Sequence, residues 1–274
     1  MMTQTNVLFL TANPSDTAAL HLDEEIRLIS QRIRRGEYRK LFDIRSAPAI
    51  RAADLPYELM DQTPDIVHFS GHGTEEGELC FVRDGDLQTV AIPAPTLARV
   101  FRQFRDRIKC VVLNACFSSI QAEAIAESIP CVVGMTRAVP DATAIAFAAG
   151  FYEALAFGKS VADAFELGQM QVELTDPRLI GTADIPSLIV RAGEDASKIY
   201  LVTKPPAEQA ATPKSMGSLP NAAQTQRIGK IQVSGGTNSV VIGQYGKAAG
   251  TSSQEVDDIG VDGQENRLVV EQNK

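Results

Sequence analysis

The chain has 274 residues, of which 44% are hydrophobic and 22% charged, the balance of an ordinary globular protein. A net charge of −8 with a pI near 5.0 argues against a phosphate-binding surface, so nucleic acid is not an expected partner. The apolar stretch nearest the start, Val7 to Leu10, is too short for a signal-peptide core or a membrane span, and four cysteines in a chain this long point to free thiols in a reducing cytoplasm.

Two periodicities alternate over the first 203 residues or so. Asn6 to Ala12 reads as a strand, ended by the turn signal Asn13-Pro14. Asp23 to Arg35 reads as a charged amphipathic helix with Ile26, Ile29 and Ile33 on one side, closed by Gly36. His21, near its start, carries no signal. Phe42 to Ser46 is a second strand and Ala52 to Gln62 a second helix; Asp65 to Ser70 is a third strand. A hairpin is predicted over Glu78 to Val82 and Leu87 to Ile92, turning at Asp84-Gly-Asp86. A helix over Thr96 to Arg107 leads into strand Ile108 to Leu113, and a helix over Ile120 to Ser128 into strand Pro130 to Met135. Two helices follow, Ala142 to Phe157 and Ser160 to Leu174, and late strands are expected at Ser187 to Arg191 and Lys198 to Val202. Repeated βαβ units with short loops imply an α/β fold: a parallel sheet with helices on both faces.

Two of these strands end on reactive side chains. Asp65-Ile-Val-His-Phe-Ser-Gly-His-Gly73 runs out to His72, and Ile108-Lys-Cys-Val-Val-Leu-Asn-Ala-Cys-Phe-Ser118 runs out to Cys116. In an open α/β sheet, ligands and chemistry gather outside the carboxyl ends of the strands. An imidazole and a thiol delivered to that edge, 44 residues apart (116 − 72), are the parts of a thiolate–imidazole dyad. The start of the helix after Cys116 and the charge of His72 would help hold a thiolate, and His72 would protonate a leaving amine. Cys80, Cys110 and Cys131 lie inside apolar runs and read as small buried hydrophobes. His68 stands four residues before His72, but on a strand that separation is roughly 13 Å, and no metal-ligand spacing accompanies it, so it reads as a packed strand residue.

His72 in Ser-Gly-His-Gly, Cys116 in Leu-Asn-Ala-Cys-Phe-Ser, the strand Cys131-Val-Val-Gly-Met135 and the helix containing Gly150-Phe-Tyr-Glu-Ala-Leu155 resemble the CHAT domain. This is the bacterial branch of the caspase, separase and gingipain peptidases, and the resemblance runs from about Asn6 to Val202. It implies a caspase-like fold and hydrolysis of a protein substrate through an acyl-enzyme on Cys116, with no metal or organic cofactor. A defence or cell-death pathway is the implied setting, with an oxyanion hole formed by the Gly73 and Cys116 amides. Related peptidases place the walls of the S1 pocket after the fifth strand, where Asp141 stands; with Glu75, Glu76 and Glu78 it hints at a basic residue before the scissile bond. Asp141 is equally a good helix N-cap. The competing readings are a non-catalytic scaffold with the same fold and a nucleotide-binding Rossmann domain. The latter lacks a glycine-rich turn after its first strand.

Composition changes after residue 203. Lys204 to Gln226 holds four prolines among Ala, Gln, Ser and Thr and reads as a disordered linker between the peptidase-like domain (1–203) and a tail (227–274). In the tail, Ile231 to Gln244 aligns with Ile259 to Gln272 at an offset of 28 (259 − 231), each copy reading as strand, Gly/Asn turn, strand: a β-arch. Apolar β-branched residues and asparagines suit cross-β stacking. The first copy resembles the RIP homotypic interaction motif of amyloid signalling. That resemblance implies self-assembly and a receptor or adaptor partner with a matching motif. The charges of Asp262, Glu265, Arg267 and Glu271 depart from that pattern.

Overall fold

The computed structural model describes residues 4–202 in full and, beyond them, the backbone of six short strands between 226 and 271. Five strands pair in parallel at the centre: β1 (Thr5–Thr11), β2 (Phe42–Ala47), β3 (Ile66–Ser70), β6 (Cys110–Asn114) and β7 (Cys131–Met135). The order is β2-β1-β3-β6-β7-β8, and β8 (Pro186–Val190) closes one edge antiparallel to β7. The hairpin β4 (Leu79–Val82) and β5 (Thr89–Ile92) forms its own two-stranded ladder.

The strands bury both faces, which is why they read as continuous apolar runs rather than alternating ones. Val7, Phe9, Ile66, Val112 and Val133 face helices α1 (Leu22–Ile33), α5 (Asp141–Ala156) and α6 (Val161–Thr175). Leu8, Leu10, Val67, Phe69, Leu113 and Val132 face α2 (Leu55–Gln62), α3 (Ala94–Arg102), α4 (Ser119–Ala126) and the hairpin. Each fully buried aliphatic or aromatic side chain contributes about 1.5–3 kcal/mol. Two apolar layers on one sheet therefore supply the rigidity on which loops at its carboxyl edge can be held.

One expected strand is absent. Lys198 to Val202 forms no ladder: a single 3-10 turn over Ala196–Lys198 leads into irregular chain. Its carbonyls are satisfied otherwise, Ile199 by the amide of Val161 at the start of α6 (2.9 Å) and Leu201 by the Thr5 hydroxyl (2.8 Å). A segment whose polar groups are met by a helix end and a side chain gains nothing from joining the sheet.

The chain divides into two units, Met1–Ala210 and Ala211–Lys274. In the second, β9 (Gln226–Ile228), β10 (Ile231–Ser234), β11 (Ser239–Gly243), β12 (Gln254–Val256), β13 (Ile259–Asp262) and β14 (Arg267–Glu271) are described. They make three parallel ladders, β9 with β12, β10 with β13 and β11 with β14. Gln226 pairs with Gln254, Ile231 with Ile259 and Ser239 with Arg267, all at the same offset of 28 (254 − 226). Gln226, assigned from sequence to the linker, is the first residue of β9. The rest of the linker and the Gly/Asn turns of both arches lie outside the described residues.

Candidate active site

β3 and β6 are adjacent central strands, with Ser70 opposite Asn114 at their carboxyl ends. The sheet's order reverses between β1 and β3, so the loops leaving those two strands open onto the crevice where α/β sheets place ligands. His72 and Cys116 each follow their strand by two residues and are half-buried. The two loops touch. A Cβ built on Gly73 would stand 2.0 Å from the Cys116 carbonyl oxygen, closer than any side chain could tolerate. Glycine is required there by close approach of two backbones, not by an unusual dihedral.

The His72 ring is held by a backbone carbonyl. Its Nε2 lies 2.9 Å from the carbonyl oxygen of Ala18, in the loop after β1. A carbonyl only accepts, so Nε2 carries the proton and Nδ1 is left as the free nitrogen of the neutral ring. The Gly73 amide is also free of the local ladder. Its bridge to Leu79 is bonded through the flanking residues, Cys80 N–H to the His72 carbonyl (3.0 Å) and Thr74 N–H to the Glu78 carbonyl (2.9 Å).

Around Cys116 the chain is firmly anchored. Ser118 donates its hydroxyl to the Leu113 carbonyl (2.9 Å) and accepts the Met135 amide (2.9 Å), tying the turn to β7. Phe117 sits at φ +55°, a left-handed conformation that costs an aromatic residue about 1–3 kcal/mol. The loop after β7 wraps the thiol: the Val139 amide points at Sγ (3.4 Å), and Sγ lies 3.9 Å from the Val139 carbonyl. Cys116 is half-exposed, whereas the other three cysteines are buried. Burial pushes the thiol of Cys110 well up and that of Cys131 up to about 12, and raises that of Cys80, so all three stay protonated.

Asp141 lies two residues past Val139, at the first position of α5. It does not cap the helix: Pro140 holds the N-cap position, and Asp141 instead accepts the His21 backbone amide (3.3 Å) and faces His21 Nδ1 (2.6 Å). That bond, with the neighbouring negative charge, raises the His21 pKa. His21 is thus a partner of Asp141, contrary to its blank reading in sequence. Both line a cleft of about 550 Å³ between α1, α5 and α6, together with Glu24. Glu75 and Glu76 are exposed and Glu78 half-exposed, all in the short turn after His72.

Beneath this edge lies a buried polar cluster. Glu25 of α1 accepts from His68 Nε2 (3.1 Å), from the Ser70 hydroxyl and from the Asn114 side-chain amide. His68 Nδ1 meets the Tyr152 hydroxyl at 3.2 Å, and Phe9 packs on its ring at 4.8 Å. The strand reading of His68 holds, but its role as a carboxylate partner was not legible from β3 alone. The signal was in α1: its buried stripe is Glu25, Ile29 and Ile33, and a carboxylate in an apolar stripe calls for a partner. Ala18 acts through its backbone and leaves no mark in sequence. Among the described residues, no group of three or more His, Cys, Asp or Glu side chains is disposed to hold a metal ion.

A mainly parallel α/β sheet thus carries an imidazole and an accessible thiol at one carboxyl edge. The CHAT domain model matches residues 3–184, and the chain belongs to that family. A probable protease of Gillisia limnaea is 23% identical over 151 residues, covering 54% of this chain and 26% of that protein. A Roc-COR-CHAT protease of an unknown prokaryotic organism is 26% identical over 168 residues, 57% of this chain and 15% of the relative. The matched stretch is therefore a minor part of either relative. Among solved structures, the Arg-specific cysteine proteinase gingipain R is similar at a TM-score of 0.47 with 12% identity, over 71% of this chain and 47% of that one. Caspase-1 of Spodoptera frugiperda is similar at 0.44 with 11% identity, over 70% and 88%. No helix of the described residues is long and apolar enough to cross a membrane.

Proposed function

We propose that this chain is a cysteine endopeptidase whose nucleophile is Cys116 and whose proton carrier is His72. The observation that carries the reading is the direct contact of the two loops at Gly73 and the Cys116 carbonyl. Ala18 supports it by fixing the His72 tautomer through Nε2, as a third group does in hydrolytic triads. The Cys116 proton passes to His72 Nδ1, and the thiolate attacks the scissile carbonyl carbon. The resulting oxyanion is received by the Gly73 and Cys116 amides. Collapse breaks the C–N bond, the amine leaves with the proton from His72, and a thioester remains. Water, deprotonated by His72, attacks the thioester, and the carboxylic acid and free thiol complete the cycle.

Asp141 is proposed to pair with a basic side chain before the scissile bond. It lines a cleft that also holds Glu24, and its loop touches the Cys116 sulfur through Val139. His21 now occupies the carboxylate and must yield to such a substrate.

The tail is proposed to recruit the peptidase by templated stacking against a receptor or adaptor with a matching motif, or against further copies of itself. Three parallel ladders sharing one offset support this, because a unit that stacks on its own repeat presents the same edge to the next copy. A cytoplasmic defence or cell-death pathway is the corresponding setting. The test is cleavage of a fluorogenic peptide library, varied before the scissile bond, by wild type, Cys116→Ala and His72→Ala, before and after seeding the tail. Cleavage lost in both variants and enhanced by seeding supports the full reading. Cleavage that survives in Cys116→Ala refutes the assigned nucleophile, and silence in every state with a thiol-unreactive Cys116 favours a non-catalytic scaffold.

A further inference from the structure

We propose that Glu25 is a positioning residue for the Cys116–His72 pair, its buried carboxylate clasping the tips of β3 and β6 from below; this rests on the cysteine-peptidase reading. Glu25 is only 2% exposed, in the first turn of α1. Its carboxylate collects donors from three places: His68 and Ser70 on β3, and Asn114 on β6. Ser70 and Asn114 face each other in the last rung of the β3–β6 ladder. His72 stands two residues beyond one and Cys116 two beyond the other. One side chain thus ties together the rung from which both reactive groups depart. Among the described residues, no other side chain bonds to both Ser70 and Asn114.

Two further observations set this apart from ordinary core polarity. The Asn114 Oδ1 is buried without a partner, so the orientation of that amide depends on Glu25 alone. Taking a carboxylate out of water is also costly, and an apolar residue of similar volume commonly serves a core as well or better. Burial pushes the Glu25 carboxyl up, but attraction to His68 and the three hydrogen bonds bring it below its usual range, so the clasp stays ionised. A charge retained in this place has a geometric task. It fixes the register of α1, β3 and β6 at the edge where a displacement of about 1 Å costs on the order of 100-fold in rate.

The experiment compares wild type, Glu25→Gln and Ser70→Ala in the full chain. One readout is the rate of Cys116 alkylation by iodoacetamide, resolved by mass spectrometry; the other is kcat and KM on the best library peptide. Near-UV circular dichroism and melting temperature monitor the fold. Glu25→Gln keeps shape but removes the charge. Its kcat is expected to drop about 100-fold with KM held within about twofold, with slower alkylation and a native spectrum. Ser70→Ala, which removes one of the three donors, should show a smaller loss of the same kind. A folded Glu25→Gln with wild-type kcat and alkylation rate overturns the proposal. If Glu25→Gln does not fold, unchanged rates in Ser70→Ala overturn it. If wild type cleaves no peptide before or after seeding of the tail, the peptidase reading fails by itself, and the alkylation rates still decide whether Glu25 sets the position of Cys116.

Discussion

At the level of single residues, the placement of His72 and Cys116 at the sheet edge was legible because each combines a chemically reactive side chain with the end of an apolar run. Ala18 was not, since a backbone carbonyl looks the same under any side chain. Gly73 sits between these cases. Its glycine is visible in sequence, but the reason for it is the Cys116 carbonyl oxygen, which would stand 2.0 Å from any Cβ at that position. Gly73→Ala is therefore expected to destabilise by about 1–3 kcal/mol in urea titrations, through overpacking, and to lower kcat/KM by displacing Cys116. The pair His21–Asp141 makes a prediction with a definite sign. His21 binds its proton more tightly in the folded protein than at its ordinary value of 6.5, so the charged pair is complete below that value and dissolves as pH rises through the raised pKa. On the S1 role proposed for Asp141, KM for an Arg-containing peptide should fall as pH climbs through that window in wild type. In His21→Ala it should stay flat, and KM titrations of the two proteins check this.

At the level of elements, strands and helices followed from periodicity, but the ends did not. The helix predicted to reach Arg107 stops at Arg102, and the strand expected at Lys198 to Val202 is replaced by docked irregular chain. After Arg102 the chain continues in local turns, Gln103 N–H to the Val100 carbonyl and Phe104 N–H to the Phe101 carbonyl, whereas the second difference comes from a tertiary partner that local pattern cannot report. The Leu201 carbonyl is met by the Thr5 hydroxyl, 196 residues away in sequence. Thr5→Val keeps the shape and removes that donor, leaving a buried carbonyl unpaired. A loss of about 1–3 kcal/mol in urea denaturation is expected, without change in kcat. The amphipathic pattern of α1 shows in its isoleucines, while the unusual member of its buried stripe is the carboxylate of Glu25.

At the level of the whole molecule, the 28-residue repeat was legible as sequence similarity and reappears as the common register of three parallel ladders. The structure carries it further upstream, to Gln226 and Gln254, where three-residue strands are too short to stand out in sequence. Val261 pairs with Val233 within one of these ladders. Proline lacks an N–H and is poorly tolerated inside a paired strand, so Val261→Pro should abolish seeding of thioflavin-positive assemblies while basal peptide cleavage persists. Function in this molecule hinges on the half-exposed thiol at the sheet edge acting as a nucleophile driven by the imidazole of the adjoining loop. The most direct measurement is intact-mass and peptide-mapping spectrometry of the full chain after reaction with a peptidyl acyloxymethyl ketone. A single adduct on Cys116, lost in His72→Ala although iodoacetamide still reaches the thiol, is the predicted result. An unmodified Cys116, or equal labelling with and without His72, would contradict it.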